Sequence, residues 1–137
     1  MASILIIEDN PDNRELTELI LAEAGHTVTS AKDGVRGLYL AARDQPDVIL
    51  MDLALPKVDG WAATEHLKAY PATEHIPVIA FTAHVREEEI ERARAAGCVA
   101  VVAKPFDIDM LLHQIAAVEG QNPIALAARA VGSPLGD

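Results

Sequence analysis

With 137 residues, half of them hydrophobic, the chain can bury one sizeable core, and nothing in it suggests a second catalytic or DNA-binding module. Its 21 acids against 11 bases give a formal net charge of -10, which argues against direct nucleic-acid binding, because a phosphate backbone needs a basic stripe. No apolar run has the length of a membrane span, and Met1-Ala2-Ser3 leads at once into an acidic strand-like segment rather than a signal peptide. A cytoplasmic protein without membrane contact is expected.

Five strand-like runs alternate with helical patterns. The first, Ile4 to Ile7, runs into Glu8 and Asp9. Asn10 and Pro11 then form an N-cap and first-position pair, and Leu16, Leu19, Ile20 and Ala24 recur at helical spacing up to Gly25. Thr27 to Ala31 is a second strand, and Asp33-Gly34 opens a second helix carrying Val35, Leu38, Tyr39 and Ala42, which ends near Gln45-Pro46. Val48 to Met51 do not alternate apolar with polar, so the third strand is covered on both faces, as in the middle of a parallel sheet. It delivers Asp52 into a turn containing Pro56.

A third helix follows Asp59-Gly60, with Trp61 partly buried at its start, Ala63, Leu67 and Tyr70 inward, and Pro71 beyond its end. The fourth strand, Val78 to Phe81, reaches Thr82-Ala83. Glu87 to Ala96 is a fourth helix, acidic in its first turn, where the helix dipole favours acids. Val99 to Ala103 is the fifth strand and runs into Lys104-Pro105; a fifth helix from about Ile108 to Glu119 carries Ile108, Leu111, Leu112 and Ile115. Cys98 has no cysteine partner in the chain and reads as a small buried hydrophobe after the helix-ending Gly97. The alternation gives an α/β domain of the (βα)5 type over residues 1–120. Residues 121–137 read as a C-terminal extension: Asn122-Pro123 can start a short helix bearing Ile124, Ala127, Ala128 and Val131, followed by a flexible end.

In a parallel sheet the residues just past the strand ends converge on one rim, where open α/β folds place their chemistry. Glu8, Asp9, Asp52, Thr82 and Lys104 would meet there. Three carboxylates in one place repel unless a cation shares the site, and hard oxygen ligands suit Mg²⁺, with Mn²⁺ as a substitute. Asp52 can attack phosphorus and become an aspartyl phosphate, while the Thr82 hydroxyl and the Lys104 ammonium can hold phosphoryl oxygens. His26, His66, His75 and His113 lie in separate elements without metal-ligand spacing.

Glu8-Asp9, Met51-Asp52 with Pro56 and Gly60, Thr82-Ala83 and Lys104-Pro105-Phe106, in this order and spacing, resemble the signature of the receiver domain of two-component response regulators over about residues 3 to 119. The resemblance implies a flavodoxin-like, CheY-like fold with strand order 2-1-3-4-5 and helices on both faces. It implies Mg²⁺ on Glu8, Asp9, Asp52 and the backbone carbonyl of Ala54, a cis peptide between Lys104 and Pro105, and phosphorylation of Asp52 by a histidine kinase or phosphotransfer protein. With no output module in sight, the chain is similar to single-domain regulators, and Asn10-Pro11-Asp12-Asn13 and His75-Ile76-Pro77-Val78-Ile79-Ala80 lean toward the cell-cycle type; bacteriophytochrome-associated regulators are another. Output would then be a contact with a downstream protein, and the chain would not be a turnover enzyme.

Two positions bear on hydrolysis of the phosphoryl group without setting its lifetime: His84, two after Thr82, which reads as a solvated loop residue or, alternatively, as one that admits or excludes water, and Ala54, two after Asp52, small enough to leave that route open. The resemblance is incomplete at Val101, three residues before Lys104, where receivers commonly place an aromatic whose rotamer follows the switch hydroxyl. The apolar run Cys98 to Ala103 would form a sheet edge, which invites a homodimer through the face of the fourth helix, fifth strand and fifth helix, extended by the apolar part of residues 121–137. Other readings are a flavin-binding module, disfavoured because Glu8-Asp9-Asn10-Pro11-Asp12 would repel a phosphate, an aspartate-dependent phosphatase, disfavoured because Ala54 cannot act as general acid, and a pseudo-receiver that binds partners without phosphorylation.

Overall fold

The structure, a computed structural model, describes residues 2–55, 59–82, 86–103 and 108–118. In chain order the elements are β1 (Ser3–Ile7), α1 (Pro11–Glu23), β2 (Thr27–Ala31), α2 (Gly34–Asp44), β3 (Val48–Asp52), α3 (Gly60–Ala69), β4 (Val78–Thr82), α4 (Glu87–Ala96), β5 (Ala100–Ala103) and α5 (Ile108–Val118). All five strands are parallel, in the order β2-β1-β3-β4-β5. Every residue of β3 and of β4 is buried, as expected of strands covered on both faces.

Successive side chains of a strand point to opposite faces, and the core divides accordingly. Ile4, Ile6, Val48, Leu50, Ile79 and Phe81 pack with Leu21 of α1 and with Leu111, Ile115 and Val118 of α5. Leu5, Ile7, Ile49, Met51, Val78 and Ala80 pack on the other face with Leu40 and Ala41 of α2, Ala63 and Leu67 of α3 and Ala93 of α4.

The caps form where side-chain chemistry demands them. Asn10, Asp33 and Asp59 each accept from the backbone N–H three residues on, at 3.1, 2.8 and 2.8 Å. Gly97 closes α4 at φ 117°, in the left-handed region, and Cys98 behind it is buried. Two of the histidines hold local structure: His26 Nδ1 accepts from the Ala2 N–H at 2.9 Å, and His75 Nε2 lies 2.8 Å from Gln45 Oε1.

The inward faces of four helices differ from the sequence expectation. On α1 the buried residues are Thr17 and Leu21, while Leu16 and Leu19 are each 57% exposed. Thr17 can turn inward because its hydroxyl donates to the Asn13 carbonyl at 2.9 Å, so no polar group is left unsatisfied. On α2 the buried positions are Gly34, Gly37, Leu40 and Ala41, and Val35 and Tyr39 face outward. A Cβ on Gly37 would meet Ile7, with Cγ1 at 2.8 Å, so a glycine sits where α2 lies close on the sheet. On α3, Tyr70 is the C-cap and is exposed, whereas Thr64 is buried with its hydroxyl donating to the Gly60 carbonyl at 2.7 Å. Ile108, at the start of α5, is also exposed.

β5 is a sheet edge, as expected, and begins at Ala100 rather than Val99, which is 46% exposed. Pro56, His84, Lys104, Pro105 and residues 121–137 lie outside the described residues. The expectations placed on them, the cis peptide and the terminal helix included, are not addressed by the fold.

Candidate functional site

β1 and β3 are neighbours whose carboxyl ends lie side by side, with Ile7 paired to Met51. The residues that follow, Glu8 and Asp9 after β1 and Asp52 at the end of β3, therefore meet on the rim. Carboxylate oxygens of the three lie within 4.8 Å of one another. Glu8 and Asp52 are 2% and 3% exposed, while Asp9 is exposed. The cluster thus has a dry base and a wet lip.

Backbone bonds hold this rim. Glu8 N–H donates to the Ala31 carbonyl at 3.0 Å, continuing the β1–β2 ladder, and Arg14 Nη1 donates to the Glu8 carbonyl at 3.0 Å. Asp52 Oδ1 accepts from the Ala54 N–H at 3.0 Å, which fixes the carboxylate against its own loop. Leu53 N–H reaches across to the Phe81 carbonyl at 3.1 Å, and Gly60 N–H returns to the Leu53 carbonyl at 3.1 Å, folding the start of α3 onto the end of β3. A Cβ at Gly60 would lie against the Asp52 carbonyl oxygen and 2.5 Å from Leu53 Cα, so this approach requires glycine.

Thr82 ends β4, the next strand over, and is buried at 5% exposure. With Leu53, Ala54, Trp61, Glu88, Glu89 and Arg92 it lines a cavity of ≈ 490 Å³ beside Asp52. The Arg92 guanidinium stacks over Trp61, 4.2 Å from the ring centroid, and bridges α4 to α3 at the mouth of this cavity. Glu8, Asp9, Asp52 and Thr82 are thus brought to one rim, as the sequence predicts. Val101 lies partly buried on β5, paired with Ala80 of β4. Arg14 was not among the sequence candidates; its position four residues after Asn10, within the first turns of the helix that follows Glu8-Asp9, is the signal that places it there.

Three carboxylates at this separation, two of them buried, supply the hard oxygen ligands and the negative charge that a small divalent cation requires, and they suit Mg²⁺.

Comparison with known proteins decides the family. The response regulator receiver domain matches residues 4–116. The chain belongs to the response regulator receiver family. It is 36% identical over 113 residues to the polar-differentiation response regulator DivK of Brucella anthropi, which covers 82% of this chain and 92% of DivK. It is 37% identical over 118 residues to RpaA of Synechocystis, a DNA-binding transcriptional regulator of which the match covers only 49%. Among solved structures it is similar to the receiver domain of the sensor histidine kinase PA1611 from Pseudomonas aeruginosa, with a TM-score of 0.81, 35% identity, and coverage of 87% of this chain and 98% of that one. That receiver carries a magnesium ion in its active-site cleft.

As a receiver, the protein belongs to the signalling modules of two-component phosphorelays, a family of regulators rather than classical enzymes. No helix among the described residues is long and apolar enough to cross a membrane.

Proposed function

We propose that this receiver acts as a single-domain response regulator: Asp52 accepts a phosphoryl group from a histidine kinase or histidine phosphotransfer protein in the cytoplasm, and the change is relayed as an altered contact with a downstream protein. The observation that carries the reading is the meeting of Glu8, Asp9 and Asp52 within 4.8 Å, with Thr82 ending the adjacent strand. In this reading Glu8, Asp9, Asp52 and the Ala54 carbonyl hold Mg²⁺, which when bound supplies neutralisation of charge at the transferring group. Asp52 is the nucleophile, held in place by its bond from the Ala54 N–H. Thr82 donates a hydrogen bond to a phosphoryl oxygen and Lys104 offers it a point charge, the latter aimed by a cis Lys104-Pro105 bond. His84 and the small Ala54 govern the access of water. The receiver is taken to occupy residues 1–120, with 121–137 as an appended segment.

Val101 favours a second reading. An aliphatic residue has no ring to swing, so coupling from Thr82 to the β5 face takes a different or weaker form, and in the limit the chain is an interaction module independent of phosphorylation. The exposed Val99 beside the β5 edge supports a homodimer through α4, β5 and α5, extended by residues 121–137. Deleting residues 121–137 should then change the mass in light scattering, and an unchanged mass removes that segment from the interface.

Intact mass after incubation with Mg²⁺ and acetyl phosphate tests the central reading. A gain of one phosphoryl group (about 80 Da) is expected for the wild type and not for Asp52→Asn. A folded wild type that binds Mg²⁺ and gains nothing from acetyl phosphate or from a histidine kinase would favour the phosphorylation-independent module.

A further inference from the structure

The chain carries a net charge of -10, yet Arg14, Lys32 and Arg36 converge on one groove at the carboxyl end of β2. The groove has a volume of ≈ 620 Å³ and runs between α1 and α2, with Val35 and Tyr39 along its α2 wall. Among the described residues the ion pairs are Arg43 with Asp44 and Arg86 with Glu89, so none of the three cations is neutralised by a carboxylate in direct contact. Asp33, the acid in the lining, has a carboxylate oxygen taken by the Arg36 N–H at 2.8 Å, where it caps α2. Arg14 is fixed by its bond to the Glu8 carbonyl at 3.0 Å, which sets the groove directly beside the acid cluster. Lys32 and Arg36 stand exposed on its rim.

We propose that this groove docks an acidic segment of a partner protein, a run of Asp and Glu side chains lying across the first turns of α1 and α2. An open trough with exposed cations suits an extended polypeptide better than a small molecule, whose sites are enclosed. Tyr39 is already flanked by the Arg36 and Arg43 guanidinium groups, at 5.2 and 5.6 Å from its centroid, so its ring is not an open stacking platform. The two signs of charge also set orientation. A partner acid is attracted to the groove and repelled by Glu8, Asp9 and Asp52 alongside it, so it docks in one register, with its remaining surface over the rim. Docking of this kind does not depend on phosphorylation of Asp52.

The test is fluorescence anisotropy of a labelled decaglutamate peptide titrated with the full chain at about 0.15 M salt, where the chain's overall repulsion is screened beyond about 8 Å and contact pairs survive. Saturable binding is expected, weakened about tenfold or more in Lys32→Glu/Arg36→Glu and less in Lys32→Gln/Arg36→Gln. Both positions are exposed, so the circular dichroism spectrum of each variant is expected to match the wild type. Acetyl phosphate labelling is expected to be the same in wild type and reversal variant; if neither is labelled, the phosphoacceptor reading fails and the binding result still stands. Absence of saturable binding by the wild type, or equal binding by the reversal variant, overturns the proposal. Displacement of the peptide by inorganic tripolyphosphate at equimolar concentration overturns it too, by making the groove a small-anion site.

Discussion

Gly60→Ala is the substitution that most directly probes how the fold positions Asp52. The added methyl would press on the Asp52 carbonyl oxygen and lie 2.5 Å from Leu53 Cα, and both obstacles are backbone that cannot rotate aside. The start of α3 must therefore move away from the end of β3, stretching the Gly60 N–H bond to the Leu53 carbonyl, now 3.1 Å. Overpacking of this kind costs roughly 1–3 kcal/mol, of which the better helix propensity of alanine returns at most about 1 kcal/mol. The net loss is about 1–2 kcal/mol, and for a chain of this size that lowers Tm by roughly 3–7 °C. Because the strain falls on Asp52 itself, Mg²⁺ affinity should fall with stability. Gly37→Ala is the control: its methyl meets a side chain, that of Ile7, rather than backbone, so a smaller loss is expected. Thermal unfolding by circular dichroism and Mg²⁺ titration calorimetry measure both effects. A Gly60→Ala protein that melts within about 1 °C of wild type and binds Mg²⁺ normally would refute the reasoning.

Three further outcomes are expected. Mg²⁺ at ten times its Kd should stabilise the fold by about 1.4 kcal/mol through mass action, and Asp9→Ala, which removes the exposed member of the cluster, should abolish most of that gain in a thermal shift series; an equal gain would take Asp9 out of the site. Burial pushes the Cys98 thiol up from its ordinary value, so the neutral thiol is favoured by folding, and its contribution to stability is complete below the unfolded pKa and lost as pH rises through the folded one. Reaction with a disulfide reagent near pH 8 should accordingly be slow in native protein and fast in denaturant; rapid labelling of native protein contradicts the burial. Arg92→Ala removes the cation stacked on Trp61, the single tryptophan, and should change its intrinsic fluorescence while costing about 0.5–1 kcal/mol in denaturant unfolding; an unchanged emission spectrum argues against the α3–α4 bridge.

The sheet and its rim were legible because each signal had a single physical source. Val48 to Met51 had to be central because nothing in the run could face water, and Asp52 had to end it. Asn10, Asp33 and Asp59 announced three helix starts through their side-chain oxygens. The helix faces were less legible, because the sequence was read by size. Thr17 and Thr64 hide inward positions behind hydroxyls that bond to their own helix, and Gly37 packs inward because it has no side chain. Leu16, Leu19, Val35 and Tyr39 looked like core and are surface. The basic groove could not be read at all from a chain with nearly twice as many acids as bases. Arg14 and Lys32 are far apart in sequence and meet only because β1 and β2 are neighbours.

The central claim is that Asp52 is the phosphoacceptor, and borohydride trapping tests it most directly. Reduction of an aspartyl phosphate converts that residue alone to homoserine, and peptide mapping then locates it. After phosphorylation in Mg²⁺, homoserine is expected at position 52 and nowhere else, and removal of Mg²⁺ by chelation should leave Asp52 unconverted. Homoserine at Asp9 or another acid, or conversion of Asp52 that persists without any divalent cation, would contradict the account.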